Sequence, residues 1–345
     1  MPVLAAGQLK NIGIEIFKAL GATEEEAKIV SEFLVKANLA GHDSHGVIRI
    51  IQYADQIKKG KIIPGTSIEV VRETPSSALL NGNWGFGQVI GFKAMKMAIE
   101  KTKNNTASVV CVYNCNHIGR LADYTMMAAE NGMIGMALAN ANKIVAPYGG
   151  MERMLGTGPL SYAFPTDKEI PFVLDIATSV CAEGKIRVWL HKGEKLPYEW
   201  IIDKNGKPSN NPSDLYEGGA ILPFGGEVGY KGFGLGLVID VLGGILARSG
   251  PAYRDDKRGN GVFMEAINIE SFIPLDQFKR EMDELIRAVK RSKPMPGFKE
   301  IMIPGEPEYK TEEKKLKEGI YVPEKTWGEI TEIAKMLRVD IEKYV

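Results

Sequence analysis

The sequence is short of cysteine and histidine, has no long apolar run and carries no excess of either charge. Its three cysteines, Cys111, Cys115 and Cys181, form an odd set without a C-x-x-C pair. That suits free thiols in a reducing cytoplasm better than a disulfide framework. No apolar stretch approaches the ~20 residues of a membrane helix, and no charged-then-apolar signal pattern opens the chain. We therefore expect a cytoplasmic protein with no membrane partner. Lys plus Arg and Asp plus Glu balance at 43 each, so no global field draws nucleic acid, and a charged ligand must be met locally.

Some familiar fingerprints are missing too. No G-x-S-x-G elbow surrounds Ser44, which argues against a hydrolase. The glycine runs Gly82–Gly87 and Gly229–Gly234 do not give G-x-G-x-x-G between a strand and a helix, and no acidic residue follows at the required distance. A standard Rossmann fingerprint is therefore absent. His42, Asp43 and His45 match no metal-ligand spacing, so no metal is expected.

What is present is an ordinary globular composition, 44 % hydrophobic and 25 % charged over 345 residues, enough for about two domains. Leu9, Ile12, Ile16 and Leu20 share a helical face that Gly21 ends, and Thr23 with Glu26 reads as a capping box opening a second helix. Strand patterns follow at 67–71, 78–80, 108–113, 134–138 and 171–174, alternating with helices at 88–102 and 120–131. Residues 235–247 are so apolar that a buried helix is expected, 250–261 reads as an exposed loop, and 275–291 and 325–337 read as amphipathic helices. The alternation indicates a mixed α/β fold.

Only four histidines occur. His45 and His117 stand in polar, glycine-punctuated junctions, where functional groups concentrate. An imidazole exchanges protons near neutral pH, as oxidation of an alcohol requires. If Ser44 or His45 opens a helix, Arg49 lies one turn further along the same face, and its forked donors match a carboxylate. Lys231, ahead of a helix, is placed to hold an anionic phosphate.

Gly41-His42-Asp43-Ser44-His45-Gly46-Val47-Ile48-Arg49, Asn116-His117-Ile118-Gly119-Arg120, Val145-Ala146-Pro147-Tyr148-Gly149-Gly150, Leu155-Gly156-Thr157-Gly158-Pro159 and Asp175-Ile176-Ala177-Thr178-Ser179 occur in this order. Together they resemble the malate/L-lactate dehydrogenase type-2 family. Gly184-Lys185-Ile186-Arg187-Val188 with His191-Lys192-Gly193 looks closest to its hydroxycarboxylate dehydrogenase branch. The resemblance implies a homodimer with a non-Rossmann nicotinamide-binding domain (73–299) and a mainly helical domain built from both chain ends (1–72 and 300–345). It implies an NAD(P)-dependent oxidoreductase interconverting a small 2-hydroxy acid and its 2-oxo acid. The alternatives are a cyclic imine reductase of the same fold and a catalytically silent dinucleotide-binding homologue.

Carried onto this chain, the resemblance makes His117 a proton acceptor and Ser44 with His45 a relay and proton donor, two competing assignments. Arg49 would bind the substrate carboxylate and Thr157 would touch the substrate. Cofactor contacts would fall on His117, Ile118, Gly119, Arg120, Leu121, Ala141, Asp175, Ile176, Ala177, Lys231, Pro304, Gly305 and Glu306. Glu183 would repel a 2′-phosphate, which favours NAD over NADP. Three positions depart from the pattern. Gly158 replaces an asparagine, Ala141 replaces a serine, and Lys185 stands where the imine reductases carry an acidic relay member, a role lysine cannot fill.

Overall fold

In the computed structural model, which describes residues 2–345, a seven-stranded mixed sheet forms the centre. The first two helices are those the periodicity predicts, α1 (Ala6–Ala19) and α2 (Glu24–Leu39). The capping box forms: Glu26 N donates to Thr23 Oγ1 at 3.2 Å, and Thr23 N to Glu26 Oε2 at 2.9 Å. Helix α3 (Arg49–Lys58) follows. Leu9, Ile12, Ile16, Leu34 and Tyr53 share one hydrophobic core with Ile330 and Ile333 of the C-terminal helix α11 (Glu324–Met336). A two-stranded ribbon, β1 (Val3–Leu4) with β12 (Ile320–Tyr321), also joins the chain ends.

The central sheet contains β2 (Glu69–Glu73), β3 (Ser77–Asn81), β4 (Ala107–Cys115), β5 (Met133–Asn140), β6 (Pro159–Phe164), β7 (Phe172–Ala177) and β11 (Asn260–Asn268). Its spatial order is β2-β3-β4-β11-β5-β6-β7. Only β3 and β4 pair in parallel, linked by the crossover helix α4 (Gly87–Thr102); the other pairs are antiparallel. Helix α5 (Ala122–Glu130) connects β4 and β5. A small three-stranded sheet, β8 (Ile201–Ile202), β9 (Pro208–Ser209) and β10 (Ala220–Ile221), lies with α6 (Glu183–Lys192) and α7 (Pro212–Tyr216).

Several expectations are corrected. Residues 235–247 are buried on one face only: in α8 (Tyr230–Ile239) and its π-helical continuation Asp240–Leu246, Ile239 packs in a core that also takes Ala247, while the opposite face lies at the surface. Leu235, Val238, Val241, Ile245 and Leu246 are 41 to 59 % exposed. Apolar composition alone does not tell a core from a surface awaiting a partner. The strand in the middle of the sheet, β11, was not expected, because Gly-Val-Phe-Met-Glu-Ala-Ile shows neither helical nor alternating periodicity. The helix carrying Arg49 starts at Arg49 itself, with Asp43–His45 forming a separate 3₁₀ turn. Helices α9 (Leu275–Lys290) and α10 (Glu306–Glu318) complete the chain.

Candidate active site

Two junctions bring the histidines together. Asn38, buried at the end of α2, donates from Nδ2 to Asp43 Oδ1 at 2.6 Å and accepts from Val47 N through Oδ1 at 2.8 Å, which fixes the His42–Gly46 turn. Gly46 is required there, because a Cβ would come within 2.2 Å of Asn38 Oδ1. The second junction leaves β4, where Asn116 Nδ2 donates to the carbonyls of Lys61, Trp84 and Gly85 at 3.1, 2.7 and 2.9 Å. Gly87 lets the start of α4 approach it, since a Cβ would meet His117 O at 2.2 Å.

As a result the two imidazoles stack, with centroids 5.2 Å apart and planes within 4°, and His45 Nδ1 lies 3.2 Å from His117 Nε2. His117 Nδ1 is 2.7 Å from the Tyr53 hydroxyl, which accepts from Gln88 Nε2 at 2.6 Å. His45 Nε2 is the one ring nitrogen of the pair with no hydrogen bond among the described residues. Two tautomer sets satisfy this chain. If Tyr53 donates to His117, each bond passes its proton outward and His45 Nε2 carries N–H. If His117 donates to Tyr53, the Tyr53 hydroxyl needs an acceptor, which the otherwise unpartnered Gln88 Oε1 supplies when that amide is turned over, and His45 Nε2 holds a lone pair. The pair can therefore offer a proton or take one at the same atom.

Burial holds both imidazoles neutral. His45 is pulled down to about 3, by burial first and then by the charges of Arg49, His42 and Arg120. His117 is lowered well below its usual value by burial, Arg49 and His45, and burial pushes the Tyr53 phenol up to about 12. Arg49 Nε donates to Ser44 O at 2.7 Å and Nη1 to Gln52 Oε1, leaving Nη2 without a hydrogen bond among the described residues. This backbone contact, rather than a shared helical face, sets Arg49 beside His45.

Two cavities lie beside this group, one of them reached by His117 and Gln52, and His45 and Arg49 line neither. One of about 560 Å³ is lined by His117, Thr157, Ala141 and Gln52, with Arg187 and Glu183 from α6. The other, about 420 Å³, is lined by Arg120, Asp175, Ile176, Pro304 and Gly305, with Glu308 beside them. Asp175 Oδ2 accepts from Ala122 N at the start of α5 at 2.8 Å, and burial raises its carboxyl to about 6. Arg120 Nη2 meets Asp123 Oδ1 at 2.6 Å.

The other sequence candidates stand apart. Ile118 and Leu121 are packed in the core, Gly119 takes a φ of +75° in the turn, and Ala177 lines neither cavity. Glu306 is buried against Lys290 at 2.5 Å and Lys310 at 2.9 Å, with Ile303 N donating to it at 3.1 Å, and is held down at about 2. Lys231 is exposed on α8 and lines neither cavity. The Ser44 hydroxyl makes no hydrogen bond among the described residues, its carbonyl being the group in use. Gly158 has a φ of +45°, and a Cβ there would lie 2.7 Å from Thr178 Oγ1, so the glycine fits its surroundings. Glu183 is tied to Arg187 and Tyr216 in the larger cavity. Sequence reasoning missed Tyr53, Gln88 and Gln52. All three lie on helices at core or surface periodicity, and only their spatial partners mark them.

A malate/L-lactate dehydrogenase family model matches residues 4–331. The chain belongs to that family. It is 44 % identical over 341 residues to a malate dehydrogenase of Pyrococcus abyssi, covering 96 % of this chain and 94 % of that one. It is 40 % identical to an L-sulfolactate dehydrogenase of Methanocaldococcus jannaschii over 342 residues, covering 97 % of each. The solved malate dehydrogenase of Pyrococcus horikoshii OT3 superposes with a TM-score of 0.91 at 39 % identity, covering 98 % of this chain and 96 % of that one. No helix among the described residues is long and apolar enough to cross a membrane.

Proposed function

We propose that this family member oxidises a small 2-hydroxy acid to its 2-oxo acid, and reverses the reaction, with a nicotinamide cofactor and the His45–His117 pair as proton carrier. The observation that carries the reading is the half-buried, neutral, hydrogen-bonded imidazole pair with an Arg49 fork beside it. The guanidinium takes the substrate carboxylate, which fixes the adjacent carbon. His45 Nε2 takes the hydroxyl proton during oxidation and returns it to the carbonyl oxygen during reduction, while His117 and Tyr53 set the tautomer. A carboxylate on Arg49 also cancels one of the charges that depress both imidazoles, so binding raises their basicity when it is needed.

The smaller cavity suits the dinucleotide. Ile176, Val173 and Pro304 offer apolar walls to a flat ring, and Asp175 offers a carboxylate to hydroxyl groups. When bound, the nicotinamide accepts the carbon-bound hydrogen. Asp175, Glu308 and Glu312 line that cavity against Arg120 and would repel a 2′-phosphate, so NAD is the preferred form. That preference rests on these carboxylates and not on Glu183, which is engaged elsewhere. The cofactor unit is then a non-Rossmann sheet over about 73–299, with 1–72 and 300–345 forming the helical domain.

The test is an assay of malate, lactate and 3-sulfolactate, with their 2-oxo acids, against NAD(H) and NADP(H). Turnover of at least one acid, faster with NAD, is expected. No turnover of any acid, or turnover of a cyclic imine alone, would overturn the reading.

The exposed apolar face of α8 and its continuation supports a homodimer. Sedimentation should give twice the chain mass for the wild type, and Ile245→Asp should shift it to the monomer. A monomeric wild type would refute the pairing.

A further inference from the structure

We propose that Arg187 reads a second anionic group at the far end of the substrate, so that this enzyme selects two-anion 2-hydroxy acids over one-anion ones. The proposal rests on the 2-hydroxy acid reading above and adds to it the residue that chooses among such acids.

Geometry carries the assignment. The start of α6 packs on the histidine turn, where a Cβ on Gly184 would touch Ser44 Cβ at 3.2 Å. That contact brings the first turn of α6 next to Arg49, and Glu183 and Arg187 are close enough to act on the Arg49 charge. Arg187 and His117 line the same cavity of about 560 Å³. Arg187 therefore faces the space beside His117, near enough to Arg49 for the two charges to act on each other. Arg49 is committed to the carboxylate next to the reacting carbon, which leaves Arg187 for a group further along the molecule.

Of the other cations at this cavity, Lys61 is exposed with no side-chain partner among the described residues, and three are engaged. Arg153 donates to the carbonyls of Gly219 and Leu215, Lys143 pairs with Asp255 at 2.6 Å, and Arg258 stacks 4.0 Å over Trp84 while donating to Lys61 O at 2.7 Å. Arg187 instead binds Glu183 Oε1 at 2.8 and 3.1 Å, and Tyr216 donates to the same oxygen at 2.7 Å. This pair is more than half exposed on the arginine side, so it is weak and replaceable. A carboxylate or sulfonate on the substrate can take the fork while Tyr216 keeps Glu183 in place. A one-anion acid leaves Arg187 on Glu183 and gains nothing from it.

The experiment compares kcat/KM for oxaloacetate and for pyruvate with NADH, in wild type and in Arg187→Met and Arg187→Lys. The wild type should prefer oxaloacetate. Arg187→Met should lower the oxaloacetate-to-pyruvate ratio by about 10- to 100-fold, the size of one charged hydrogen bond, mostly through KM, and Arg187→Lys should restore part of it. An unchanged ratio, or equal losses on both acids, would overturn the assignment. So would a wild type that uses pyruvate as well as oxaloacetate, a result that leaves the dehydrogenase reading standing. Failure on every acid would sink that reading itself.

Discussion

Alanine at His45 or at His117 is expected to cut kcat by about 10²- to 10⁴-fold, the usual contribution of a positioned acid–base group. His45→Ala removes the only ring nitrogen of the pair left free to meet a substrate. His117→Ala leaves that nitrogen but removes the 3.2 Å bond to His45 Nδ1 and strands Tyr53, whose 2.7 Å bond has no other partner ring. The same logic ranks Tyr53→Phe below both. It deletes the two hydrogen bonds of the Tyr53 hydroxyl, with His117 and with Gln88, a loss of about ten-fold in kcat with KM nearly unchanged. Steady-state kinetics on an accepted acid, with circular dichroism to confirm folding, measures all three. If both alanine variants kept near-native turnover, the pair would not be the proton carrier.

Loss of the Arg49 guanidinium should raise the KM of the acid so that kcat/KM falls by about 10²- to 10³-fold, because a buried charge partner is removed from the substrate carboxylate. The pH profile provides a second readout. A base must be unprotonated, and His45 and His117 are both depressed below the ordinary 6.5 in the free enzyme. The acidic limb of kcat/KM for oxidation, which reports the free enzyme, should therefore fall well below pH 6.5. Once Arg49 is neutralised by a bound carboxylate, the imidazoles rise, so the acidic limb of kcat should lie at higher pH than that of kcat/KM. In Arg49→Gln the kcat/KM limb should move up towards it, since one of the depressing charges is gone. A limb of kcat/KM at or above pH 6.5 in the wild type would contradict this account.

The helical ends were legible because their signals are local. The Thr23–Glu26 box, the Leu9-Ile12-Ile16 face and the Gly21 stop, at φ +94°, each act within one turn of chain, and each forms as the sequence predicts. Strands β2 to β5 and β7 were readable for the same reason, whereas β1 and β6 were not. The middle of the sheet was not, since β11 is placed between β4 and β5 by pairing across more than a hundred residues, and its mostly apolar run, with Glu265 inside it, shows neither period. Apolar composition likewise made the whole 235–247 segment look like core when only one of its faces is.

What the sequence by itself determined is the chemical inventory: a fold class, a family pattern, and the imidazoles and guanidinium capable of the reaction. What only the tertiary structure decided is which of their atoms meet. That His45 Nδ1 reaches His117 Nε2, that Tyr53 and Gln88 close the chain behind them, and that Arg187 shares a cavity with His117 all depend on residues distant in sequence. Hydrogen bonds and charge effects act over a few ångströms of space, and spacing along the chain carries no measure of that distance once the chain has folded back on itself.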